Sequence, residues 1–214
     1  PSFWLLGLLF LLAVVIGQVV LASEWLPWLF FPPFYVLSVA LPIAAVLSLV
    51  GWRLARGGLV TGRREVLAQL GSGAFLGTTV AFTLEAMLLV ALVFVAGMVI
   101  ALTPGGLERL QTLLAELQSP EMLSGPSSWL PLLRSPWVIA MVFLVVAVAA
   151  PAIEEAVKAL GVLLMGYRRP GRARAFLWGV AGGAGFALAE GLLNGVLVLA
   201  DPHLWAWPIL ARAG

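Results

Sequence analysis

Five ionisable residues lie inside apolar stretches long enough to cross a bilayer: Glu85, the cluster Glu154, Glu155 and Lys158, and Glu190. A charge near a bilayer centre costs roughly 2.5–3.5 kcal/mol on insertion scales, so such residues are kept where they do something. The chemistry open to them is that of paired carboxylates beside an ammonium. A carboxylate can act as general base on a water molecule, and a cation can stabilise the negative charge that develops on an attacked carbonyl. Glu154 and Lys158 are at i and i+4, on one helical face, and Glu155 is at i, i+3 to the same Lys158. One ammonium neutralises one carboxylate; the second must be protonated, hydrogen-bonded, hydrated or metal-bound. Phe186, Glu190 and Asn194 follow one another at i+4 and form a stripe on a later segment.

The elements that position these groups are transmembrane helices. The 214-residue chain is 62% hydrophobic and 10% charged, where soluble domains average about 25% charged. The length suits one membrane-embedded all-α domain, a polytopic helix bundle of about five spans, with no room for a separate soluble domain. Spans are expected over about 3–22, 29–52, 72–102, 136–167 and 175–200. Pro32, Pro33 and Pro42 should bend the second. The apolar run 66–102 exceeds a bilayer, so an interfacial start over about 64–72 is expected before the third span. Pro151 should kink or break the fourth, next to the Glu pair. Between the third and fourth spans, Leu107, Leu110, Leu113, Leu114 and Leu117 recur at helical spacing, which fits an amphipathic helix lying on the membrane surface.

The basic residues set the orientation. Arg53, Arg56, Arg63 and Arg64 fall in one short loop, and Arg168, Arg169, Arg172 and Arg174 in another. Basic short loops face the cytoplasm, so the N-terminus is expected inside and 103–135 outside. The same clustering explains the high isoelectric point without nucleic acid. The chain has no Cys, which excludes disulfides and thiolate chemistry. Counted from the basic loops, Glu155 and Glu190 lie roughly 20 and 24 Å along their helices, and Glu85 roughly 20 Å along its own. Gly179 and Gly183 offer a small-xxx-small surface for a neighbouring helix, an approach that would bring the carboxylates of the fourth and fifth spans into one cavity. Trp25, Trp28, Trp129, Trp137, Trp205 and Trp207 near span ends fit an interfacial belt.

Pro151-Ala-Ile-Glu-Glu-Ala-Val-Lys158 resembles the Glu-Glu-x-x-Lys motif of PrsW-type intramembrane proteases, and Gly185-Phe-Ala-Leu-Ala-Glu190 resembles their Phe-x-x-x-Glu motif. The resemblance covers about residues 136–200, with the motifs in the right order on consecutive spans. It implies a fold related to CAAX prenyl endopeptidases, a bacterial plasma-membrane location, and a peptidase, usually grouped with metallopeptidases, that cuts a membrane-bound protein substrate. It further implies Glu154 or Glu155 as base or ligand, Lys158 as charge partner or oxyanion stabiliser, and a divalent metal such as zinc with Glu155 and Glu190 among its ligands. Phe186, Asn194 and Glu85 would support the site. The chain departs from the pattern in two places. Gly191 follows the second-motif Glu where Asn is common, with Asn194 one turn later. The third motif, a His on a further span, has no counterpart, because His203 lies only 13 residues past Glu190 beside Asp201 and Pro202. Either a sixth span lies beyond residue 214 or the protein is not an active protease. The competing readings are a non-catalytic, protease-like subunit of a larger membrane complex and, with less support, an ion carrier. Residue by residue, an embedded Glu-Lys pair can also simply fix helix packing, and Glu190 with Asn194 can be interhelical glue.

Overall fold

The computed structural model describes residues 2–23, 33–58, 62–118, 136–165 and 171–195. Every regular element among them is helical: α1 (Ser2–Ser23), α2 (Tyr35–Arg56), α3 (Arg63–Gly71), α4 (Thr78–Ala101), α5 (Gly106–Leu117), α6 (Pro136–Phe143), α7 (Ala150–Lys158), α8 (Leu160–Met165) and α9 (Arg172–Leu193). A π-helical turn, Ser72–Gly77, joins α3 to α4, and another, Leu144–Ala149, joins α6 to α7. Merged across these turns, five helices are long and apolar enough to cross a membrane. The chain is thus a multi-pass, all-α membrane protein of the expected class. Its helices carry large apolar side chains in the open, Phe82, Val90 and Phe94 among them, as surfaces facing lipid do.

Two compact units emerge, residues 1–79 with 157–214, and residues 80–156. In the first, α1 and α2 run antiparallel, with the Phe3 and Trp52 rings 5.9 Å apart at one end. Phe10, Val14 and Tyr35 form the buried seam between them. Helix α2 follows two π-helical residues, 33 and 34, and is unbroken through Pro42; the expected start near Leu29 lies outside the described residues.

The centre of this unit is where α3 and the π turn after it lie against α9. Glu65 meets Arg174, Gly73 meets Gly182 and Gly77 meets Phe186, so the two helices climb in step and in the same direction. The approach is backbone to backbone. A Cβ on Gly73 would collide with the Gly182 carbonyl, and one on Gly185 with the Leu70 carbonyl. Helix α8 closes the third side: Gln69, fully buried, donates from Nε2 to the Gly161 carbonyl at 3.2 Å. Residues expected as an interfacial lead-in are therefore packed along a neighbouring span. The packing face of α9 also differs from the one expected. Trp178, Ala181, Gly182, Gly185 and Phe186 are buried, whereas a Cβ on Gly179 or Gly183 would meet open space. The small-xxx-small spacing was right in kind, but rotated by one residue, about 100° around the helix.

In the second unit, the long helix leaving the π turn at Gly77 continues as α4 to Ala101. A left-handed Gly105 (φ 70°) then turns the chain into α5, a conformation glycine adopts without steric cost. Leu110 of α5 lies over Gly97 of α4, while Leu107 and Leu114 are exposed. The break expected at Pro151 takes the form of the preceding π turn. The Ala150 N–H reaches back to the Val145 carbonyl, a wide turn that absorbs the proline ring without ending the helix. Trp25, Trp28, Trp129, Trp205, Trp207 and His203 lie outside the described residues.

The glycine contacts set a sharp expectation. Gly73→Ala and Gly185→Ala should each lower the free energy of unfolding in mixed micelles by about 1–3 kcal/mol, the usual cost of overpacking. Gly179→Ala and Gly183→Ala should be neutral or stabilising, since they only gain helix propensity. Equal losses at all four positions would contradict this packing face.

Candidate functional site

The first unit carries Lys158, Phe186, Glu190 and Asn194; the second carries Glu85, Glu154 and Glu155. The first-motif helix α7 crosses from one to the other between Ala156 and Val157.

Lys158 closes α7, and three features fix it. Its backbone carbonyl packs on Gly182, where an added Cβ would approach to 3.2 Å. The adjacent Val157 is buried at 5% exposure, with its carbonyl over Gly77. The Lys158 ammonium lies over the face of Phe186, 5.2 Å from the ring centroid, within the roughly 6 Å range in which an aromatic quadrupole attracts a cation. The lysine of the first motif and the phenylalanine of the second are therefore direct neighbours. Phe186 itself is buried at 3% exposure against Gly77, so its ring is a fixed platform.

Glu190 stands one turn beyond Phe186 on α9 and is half-buried. Asn194 Nδ2 donates to Glu190 Oε1 at 3.3 Å, which gives Asn194 an orienting role on the second-motif carboxylate. The α9 terminus that carries this pair is pinned to α2. The Tyr35 hydroxyl donates to the Gly191 carbonyl, and the Ser38 hydroxyl donates to the Tyr35 carbonyl at 2.7 Å. Gly191 and Gly195 face Val39 and the Tyr35 ring so closely that a Cβ at either would collide. A glycine at position 191 thus suits the close packing against α2.

In the second unit, Glu154 is half-buried and Glu155 exposed on α7, and Glu85 is half-buried on α4. Glu154 and Lys158 share a helix face one turn apart, as expected from spacing.

Comparison of the chain with protein-family models, with curated proteins and with solved structures finds no match. The site must be read from its own residues. A catalytic zinc normally draws on imidazole among three protein ligands. Among the described residues no group of three or more His, Cys, Asp or Glu side chains converges.

Two contributors to the site were not found by inspecting charges. Tyr35 holds the end of α9, and Gln69 with Gly73, Gly77 and Gly161 seats the helices that carry Lys158 and Phe186. Gly73 and Gly77, at i+4, are a small-residue pair visible in the sequence, with Gln69 one turn before them; Tyr35 left no comparable signal. Tyr35→Phe should cost about 0.5–1.5 kcal/mol of stability, the net worth of a hydrogen bond, measured by unfolding in mixed micelles. No change would show that the Gly191 carbonyl needs no donor there.

Proposed function

We propose that this protein is an intramembrane peptidase of PrsW-like type that cleaves a membrane-bound protein substrate by carboxylate-assisted hydrolysis. The observation that supports the reading best is the Lys158–Phe186 contact, because it joins the Glu-Glu-x-x-Lys and Phe-x-x-x-Glu motifs through one residue of each. Two motifs that merely co-occurred would have no reason to touch.

In this reading one carboxylate of the Glu154 and Glu155 pair takes a proton from water as the oxygen attacks the scissile carbonyl. The resulting carboxylic acid then returns that proton to the leaving amine, so that protons balance over the cycle. Lys158 supplies positive charge for the tetrahedral oxyanion, worth most where water is excluded. Its contact with Phe186 helps hold the ammonium in place. Glu190, oriented by Asn194, is the second carboxylate of the site. The basic helix ends at Arg53 to Arg64 and Arg172 to Arg174 support an orientation with these ends and the N-terminus in the cytoplasm, and the bacterial plasma membrane is the location that the family resemblance implies.

The test is proteome-wide. Cells expressing the full-length protein should show new termini in or beside the transmembrane segments of other membrane proteins. The paired change Glu154→Gln with Glu155→Gln should reduce their yield at least about 10²-fold, the lower end of what a general base contributes. Glu190→Gln should reduce it as well, with protein levels unchanged. Identical termini from wild type and the paired variant would sink the peptidase assignment, and stoichiometric co-purification with a large membrane assembly would then favour the accessory-subunit reading.

A further inference from the structure

Away from the embedded charges, the first unit contains a cavity of about 470 Å³ between the last turns of α2, the start of α3 and α9. That volume falls within the roughly 300–1,000 Å³ of small-molecule sites. Its walls are mainly apolar, with Leu47, Leu54, Val66 and Leu177 among them, and its charged lining residue is Arg63. Arg63 is exposed and is the first residue of α3. The turn it opens is preceded by an extended Gly62, and among the described residues no side chain caps it, so the positive end of the helix dipole adds to the charge of Arg63. Helix α9 begins in the same way at Gly171, also without a side-chain cap. It runs parallel to α3, so the two positive ends lie at one level. The nearby Glu65 is engaged by Arg174 at 3.8 Å. Arg53 and Arg56, both exposed and stacked over Trp52 with guanidinium carbons 5.8 and 4.7 Å from its ring centroid, add charge at the same end of α2.

A mainly apolar cavity between spans, with Arg63 in its lining and helix N-termini and further arginines near the same end, complements one kind of molecule: a hydrocarbon chain with a phosphate at its head. We propose that this cavity binds an anionic phospholipid, with one acyl chain between α2 and α9 and the phosphate on Arg63 and the first turn of α3. A soluble phosphate would find charge there but no use for the apolar walls. A zwitterionic lipid would fill the walls but gain less from the arginines. Basic pockets between transmembrane helices are general sites for anionic headgroups. The proposal is independent of the peptidase reading, since it uses none of Glu154, Glu155, Lys158 or Glu190.

Gly51 gives a clean probe. It lines the cavity, and a Cβ on it would meet nothing within 4 Å, so Gly51→Leu fills the slot without straining the fold. Full-length protein, delipidated in mild detergent and supplied with equal dioleoyl phosphatidylglycerol and dioleoyl phosphatidylcholine, should retain the anionic lipid with a roughly five-fold preference per engaged arginine, read by native mass spectrometry. Arg63→Gln should reduce the preference by about that factor, and Gly51→Leu should abolish retention while leaving the melting temperature of the lipid-free protein unchanged. Ser48→Phe fills the same cavity from α2 and should match it, which guards against a folding defect in either variant. Arg109→Gln, outside this unit, should change nothing. Equal retention of the two lipids by the wild type, or undiminished phosphatidylglycerol on Gly51→Leu and Ser48→Phe, would overturn the proposal. Inorganic phosphate raising the melting temperature as much as phosphatidylglycerol would also overturn it, leaving an anion site without a lipid.

Discussion

The close approach of the α3 segment to α9 at Gly73, Gly182 and Gly185 is the contact on which the rest of the first unit depends. In a bilayer, lipid tails are as apolar as leucine, so burying hydrocarbon between helices gains little; association comes from van der Waals contact, polar contacts and lipid entropy. Contact of that kind needs backbones to come within reach of each other, and here glycine makes it possible on both partners. Once those two helices are locked in step, the position of everything else along them is set. Phe186 falls opposite Gly77, Val157 covers Gly77 from the other side, and Lys158 is delivered onto Gly182 and the Phe186 ring.

The polar residues that look costly in this setting serve the same contact. Gln69 is fully buried and bonded to the Gly161 carbonyl, fixing the azimuth of α8 against α3. Ser38 and Tyr35 spend their hydroxyls on backbone carbonyls. At the end of the wide turn Ser72–Gly77, the Gly73 carbonyl accepts the Thr78 backbone N–H and, at 3.3 Å, the Thr78 Oγ1 hydroxyl. Each of these satisfies a group that lipid cannot.

Hydropathy and charge were enough to read the helical class, the number of spans and the stripe along α9, because these depend on composition and on period alone. The end of span 1, the amphipathic α5 and the disturbance before Pro151 were legible for the same reason. What periodicity does not carry is azimuth. The face that α9 presents to its neighbours is about one residue away from the face suggested by Gly179 and Gly183, since both faces offer small residues at helical spacing, Ala181, Gly182 and Gly185 on one and Gly179 and Gly183 on the other, and only the partner's shape decides between them. The lead-in to the third span has no hydropathy signature separating a surface segment from a packed one. Its buried Gln69 makes it look more interfacial than it is. The pairing of Tyr35 with Gly191 joins residues 156 positions apart, and no local pattern encodes it.

The placement of Lys158 shows why embedded charge and tight glycine packing occur together. An ammonium surrounded by hydrocarbon is unstable unless something replaces its water, and a flexible lysine in a loosely packed bundle would find that replacement by reaching for the interface. Here the backbone at Lys158 is held against Gly182, so the side chain starts from a fixed point, and the Phe186 face supplies part of the lost solvation. An aromatic face attracts a cation without cancelling its charge, whereas a carboxylate in the same position would cancel it. The place of the ammonium within the first unit is therefore decided by the glycine contact beneath its backbone.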